Sequence, residues 1–150
     1  MLRAILAVGS VALLAACSSH QPQAQQAPAD LAGTSWRLVY FQPPGAGANP
    51  VVPPRVDRYT LDFGTDGTLA LGLDCNRAIA RWQVVPSGRG TLSVLPGAMT
   101  RAYCGDGALD DRIARDLEKI RSFTVADGRL FLTLEAGAGT CVWRAAASGG

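Results

Sequence analysis

The chain has 150 residues, of which 14 are Lys or Arg and 12 are Asp or Glu, for a formal net charge of +2. That length accommodates one domain with a real core but not two. The near-balance of charge, without a basic stripe interleaved with aromatics, excludes nucleic acid from the expected partners.

At the amino terminus, Arg3 precedes an apolar run from Ala4 to Ala16, interrupted by Gly9 and Ser10. The run falls short of the roughly 20 residues that span a bilayer. One basic residue, a short apolar stretch and small residues before a cut describe an export signal over 1–16. The run closes on Leu14-Ala15-Ala16-Cys17, which resembles a bacterial lipobox. The resemblance implies cleavage after Ala16, thioether lipidation at Cys17 and acylation of the new amino terminus. Each buried methylene contributes about 0.8 kcal/mol, so several acyl chains hold a membrane firmly where one holds it marginally. Ser18, rather than Asp, resembles the signal for transfer to an outer membrane, so the expected location is that membrane with the domain facing the periplasm. Beyond Cys17, the segment 18–30 lacks large apolar side chains and reads as a flexible tether.

The domain proper is expected over 31–145. "TSWRLVYF" alternates, with Trp36, Leu38 and Tyr40 on one face, and the Gly- and Pro-rich stretch 42–54 cannot lie inside a sheet. "YTLDFG" points Tyr59, Leu61 and Phe63 inward, "TDGT" turns the chain, and "LALGLDC" returns with Leu69, Leu71, Leu73 and Cys75 on one face. Asp-Gly between two alternating runs is the strongest short-range hairpin signal. Further strands are predicted at "IARWQVV" and "TLSVL". In "ALDDRIARDLEKIRS", Leu109, Ile113, Leu117 and Ile120 form one stripe of a helical period. Asp110 and Asp111 then fall in the first turn, on the outer, solvated face, and Lys119 and Arg121 in the last, as the helix dipole favours. Three more strands follow within 123–145, with Leu130, Leu132 and Leu134 alternating against Phe131, Thr133 and Glu135. The sum is a mainly β, α+β fold: a small antiparallel, barrel-like sheet of eight strands with one amphipathic helix after the fifth. Residues 146–150 should fray.

Setting Cys17 aside leaves Cys75, Cys104 and Cys141, an odd number with no CxxC spacing, which argues against thioredoxin-like redox work and zinc knuckles. Export makes a disulfide permissible. Two stretches, "LDCNRAIARWQV" and "GAMTRAYCGDGALDDRIARDL", together with the opening "LAGTSWRLV", the "YTLDFGTDGTLAL" hairpin and the closing "RLFLTLEAGAGTCVWR", resemble the META domain, or HslJ-like, family over about 31–144. The resemblance implies a small antiparallel β-barrel with one helix, found in bacterial envelope lipoproteins and linked with heat or antibiotic stress, virulence or motility. No agreed chemistry comes with it. Cys75, Asn76 and Arg77 occupy its first motif, and Thr100, Arg101 and Cys104 its second; Asp74 stands where many members have Gly. The same motifs imply a Cys75–Cys104 disulfide that pins the helix to the sheet, with Cys141 left to packing.

Catalytic residues are scarce. His20, the one histidine of the chain, sits in the tether, so neither a Ser-His-Asp nor a Cys-His arrangement is available on the domain. A zinc site without imidazole is uncommon. "TDGT" reads as a hairpin turn rather than part of a calcium loop, and the "PGAGA" segment lacks the Lys-Ser/Thr of a phosphate loop. The domain is therefore expected to be no enzyme and to carry no cofactor or metal. The binding candidates are Asn76, Arg77 and Arg101, which would cluster at one rim; the plainer alternative is that Asn76 and Thr100 satisfy backbone groups while the arginines face water. Trp36, Trp82 and Trp143 read as core. The expected function is a lipid-anchored envelope module that binds a protein partner, with two alternatives. One is a carrier of a small apolar ligand or lipid, although Trp36, Tyr59, Phe63, Trp82 and Leu132 favour a filled barrel. The other is an inhibitor of an envelope-attacking hydrolase.

Overall fold

The computed structural model describes residues 31–85 and 90–146. The signal segment, Cys17, His20, the tether and the last four residues lie outside the described residues. Eight antiparallel strands form one sheet in the order β5-β4-β3-β2-β1-β8-β7-β6. They are β1 (Thr34–Gln42), β2 (Tyr59–Phe63), β3 (Thr68–Leu73), β4 (Asn76–Val84), β5 (Leu92–Met99), β6 (Ile120–Ala126), β7 (Arg129–Leu134) and β8 (Thr140–Ala145). The sheet curls until its two edge strands meet. Thr91 bridges Ser122, and the Phe123 N–H donates to the Gly90 carbonyl at 2.7 Å. Helix α1 (Asp110–Asp116) and a 3-10 turn, Leu117–Lys119, lie between β5 and β6, and Ile113 and Leu117 pack into the core that the curl encloses.

The alternating leucines place that core. Tyr59, Leu61 and Phe63 of β2, Leu69, Leu71 and Leu73 of β3, and Leu130, Leu132 and Leu134 of β7 are all buried. Trp36 and Trp143 join them, while Trp82 is half-buried and meets the Phe63 ring edge-on at 5.1 Å between centroids. A cavity of only about 10 Å³ remains among these side chains, at the lower bound for a single water. The interior is filled.

Four expectations need correction. In β1 the buried aromatic after Leu38 is Phe41, not Tyr40, because a bulge between Leu38 and Tyr40 shifts the register against β8. Cys75 does not continue the inward face of β3; with Asp74 it forms the two-residue turn into β4, which begins at Asn76. The helical stripe ends early as well. Ile120 opens β6 instead of closing the helix, since pairing with Leu134 of β7 overrides a helical period that its sequence also satisfies. Finally, β5 runs on to Met99, although it contains Pro96 and Gly97. At a sheet edge neither interrupts a ladder on the outer side.

Cys141 of β8 is buried and unpaired. Burial, with the nearby Asp116 carboxylate, pushes its thiol from 9.0 up to about 12, against a smaller opposing pull from Arg112. The native fold thus holds the thiol proton more tightly than the unfolded chain does. That contribution to stability is whole below pH 9.0 and is lost as pH rises toward 12. Alkylation at about pH 8 should leave Cys141 unmodified in the native protein and modify it in denaturant, because the thiolate is the nucleophile. Peptide mapping by mass spectrometry reads the difference, and native labelling at the denatured rate would contradict this packing.

Candidate functional site

The two cysteine-bearing motifs meet at one rim of the curled sheet. Cys75 and Cys104 are joined there, with an S–S distance of 2.07 Å across a sequence separation of 29. Cys75 is exposed and Cys104 is buried. The bridge ties the β3–β4 turn to residues 100–109, which have no regular structure beyond a short turn.

Asn76 is the node that organises this segment. Its side chain is 1% exposed. Nδ2 donates to the Ala102 carbonyl and to Asp110 Oδ2, each at 2.9 Å, and Cys104 Sγ lies 3.3 Å away. Oδ1 accepts the Ala102 N–H at 2.8 Å and the Thr100 hydroxyl at 3.0 Å. Both faces of one amide are therefore used to fix a strandless loop against β4, leaving Asn76 no polar atom for a ligand. Asp110, expected on the solvated helix face, is buried under this amide; Asp111 beside it is exposed. The sequence hides the difference because the donor lies 34 residues away.

A second buried carboxylate, Asp74, sits in the β3–β4 turn. Asp74 adopts φ +60°, a left-handed conformation that Asp tolerates better than most residues and Gly tolerates best. Its Oδ2 accepts from Arg55 Nη2 at 2.8 Å and from the Tyr59 hydroxyl at 3.4 Å. Arg55 also donates to the Cys104 carbonyl. The Tyr59 hydroxyl in turn accepts the Leu109 N–H at 2.8 Å, just before α1. Burial, reinforced by the Asp74 and Asp110 carboxylates and partly offset by the Leu109 bond, raises the Tyr59 hydroxyl above its ordinary 10.0. Neither Arg55 nor Tyr59 is recognisable in the sequence as part of this rim. Arg55 comes from a Pro-rich loop with no periodic signal, and Tyr59 looks like a plain core aromatic.

Arg77 and Arg101 come to the same rim. The Arg77 carbonyl accepts the Thr100 N–H at 3.0 Å, and its own N–H donates to the Thr100 hydroxyl at 2.9 Å. Arg77 Nη1 donates to the Asp74 and Asn76 carbonyls at 3.2 and 2.8 Å. The Arg101 side chain is 74% exposed, 3.8 Å from Asp111. Both arginines thus keep guanidinium hydrogens facing outward, while the third candidate, Asn76, faces inward. The "TDGT" segment is the β2–β3 turn, with Asp66 accepting the Thr68 N–H and hydroxyl at 2.9 Å each. Those bonds hold its carboxyl below the usual range. Among the described residues, no group of three or more His, Cys, Asp or Glu could hold a metal ion.

The model of the META domain matches residues 29–147. The chain belongs to the META-domain family. Two solved structures share the fold of this META domain. An NMR structure of a protein from Burkholderia xenovorans aligns with a TM-score of 0.62 at 21% identity, covering 79% of this chain and 85% of that one. A crystal structure of a DUF4847-family protein from Bacteroides vulgatus aligns with a TM-score of 0.60 at 13% identity, covering 76% and 93%. A search of curated proteins gives no match. At such identities the likeness is one of fold.

Proposed function

We propose that this META domain is a non-enzymatic interaction module of the HslJ-like kind, moored by lipid at Cys17 to an outer membrane and holding an envelope protein during heat or antibiotic stress. The filled interior carries the reading: with about 10 Å³ left inside, recognition is assigned to the outer surface and an internal apolar cargo is disfavoured. The absence of histidine from 21–150 also supports binding without turnover, because general acid–base work at neutral pH falls most often to histidine.

Two measurements test it. Photo-crosslinking residues placed at Arg77 and Arg101 in growing cells should trap a discrete envelope protein, whereas a probe at exposed Arg115 on α1 should not. Equal, diffuse trapping from all three positions would remove the rim from consideration. Cys17→Ser should abolish acyl labelling and the cleavage after Ala16; acyl labelling and membrane partition equal to the parent would end the anchored reading.

A further inference from the structure

Outside the barrel, the sheet forms a groove of about 710 Å³ over strands β1 to β4. Its floor is low because the residues there are small: Thr60 on β2, with Gly72 and Ala70 on β3. Its walls are long, with Arg37 on β1 and Arg77 and Ile79 on β4. Strand register makes this one row, since Arg37 pairs with Thr60, Thr60 with Gly72, and Gly72 with Arg77. Arg37, Thr60 and Arg77 point outward, because each is flanked along its strand by buried residues, and Gly72 adds no side chain to the row. Three strand spacings put the two arginine backbones about 14 Å apart. That separation is within the combined reach of two arginine side chains across the low floor of Thr60 and Gly72. Arg58 adds a third guanidinium at the end of the groove nearest Cys75.

Folding gives no reason for the charges of Arg37 and Arg58, and it uses that of Arg77 only through two backbone carbonyls. Among the described residues, Arg37, Arg58 and Arg77 have no acidic partner. The row continues in register from Arg37 to Arg144 on β8 and from Arg144 to Arg129 on β7, again without one. Like charges directly opposite one another weaken a sheet. Arg77 is already positioned by two backbone carbonyls through Nη1, which leaves Nη2 and Nε to a ligand. The Thr60 hydroxyl accepts the Gly72 N–H at 3.2 Å, so its own hydrogen remains available to an anion. Asp57, Asp62 and Asp74 also line the groove; Asp74 is buried and paired with Arg55, which lies outside the groove lining, and the other two temper its charge without an ion pair to any arginine.

We propose that this groove binds a phosphate-bearing small molecule, with the phosphate seated between Arg37 and Arg77. Cations approaching from three directions suit a tetrahedral, multiply charged oxyanion better than a flat carboxylate, for which one bidentate arginine suffices. The inference shares Arg77 with the rim proposed above, but it does not rest on that reading, since its test needs neither the anchor nor the protein partner.

The test is calorimetric titration of the full chain, in a nonionic detergent, with inorganic phosphate, glycerol phosphate and a short-chain phosphatidic acid. Saturable binding of glycerol phosphate is the expected result. Arg37→Gln or Arg77→Gln should weaken it roughly tenfold, and Asp62→Asn should strengthen it about threefold by removing a repelling charge. Arg115→Gln, which removes an exposed guanidinium outside the groove, should leave it unchanged. Parental melting temperatures in these outer-face variants keep loss of binding distinct from loss of fold. Binding of phosphatidic acid alone would assign the phosphate to a lipid headgroup, and binding of all three to the phosphate group itself. No saturable binding of any of them, or an Arg115→Gln loss as large as that of Arg77→Gln, would overturn the site.

Discussion

Replacing Asn76 by alanine should lower the stability of the domain by about 3–4 kcal/mol, a fall in melting temperature of roughly 10–20 °C. The size follows from what the change strands. The Ala102 N–H and carbonyl lose their side-chain partner, and the buried Asp110 carboxylate loses the amide donor at 2.9 Å. A buried group left unsatisfied forfeits its hydration with no return, about 1–3 kcal/mol each. Asn76→Asp should be comparably damaging for a different reason, since it sets a second carboxylate against Asp110. Thr100→Ala, which removes one donor to Oδ1 from a partly exposed site, should lower stability by about 1 kcal/mol. Denaturant unfolding of the three variants checks the order, and an Asn76→Ala protein as stable as its parent would mean that solvent takes over these bonds and that the node is not buried in solution.

Some of this architecture is legible in the sequence and some is not, and the division has a physical cause. Period-two leucines and Asp-Gly turns report local geometry, so β2, β3 and β7 and their turns can be read directly. A bulge is set by two strands together. Nothing in "TSWRLVYF" shows that the frame slips after Leu38 and buries Phe41 in place of Tyr40. Ile120 fits a helix and a strand equally well; Leu134, far along the chain, decides between them. The rim is harder still. Asp110 reads as a solvated helix residue, and Asn76 as either a binding candidate or a residue satisfying backbone groups; the second holds at Ala102, but no local pattern records that Asn76 also meets Asp110, 34 positions away. The arginine row appears only when the registers of β7, β8, β1, β2, β3 and β4 are laid end to end. In sequence Arg37, Arg77, Arg129 and Arg144 are unrelated.

Opening the Cys75–Cys104 bridge, by reduction or by paired Cys→Ala changes, should lower stability by about 3–4 kcal/mol, the loop-closure entropy expected for a link across 29 residues. On that account the bridge acts on the unfolded chain alone, and its effect would simply add to the loss at Asn76. The geometry argues otherwise. Cys104 Sγ lies 3.3 Å from both the Cys75 N–H and Asn76 Nδ2, and the Arg55 guanidinium reaches the Cys104 carbonyl from the other side. The bridge therefore also holds residues 102–104 where the Asn76 amide can reach them. Without it, part of that loop is free to leave, and Asn76 has less left to satisfy. The Asn76→Ala penalty should accordingly be smaller in the bridge-free protein by at least about 0.5 kcal/mol, the coupling typical of residues in direct contact. A double-mutant cycle in denaturant measures it. An undiminished penalty would leave the bridge as an entropic tie on the unfolded chain, with no part in positioning the native rim.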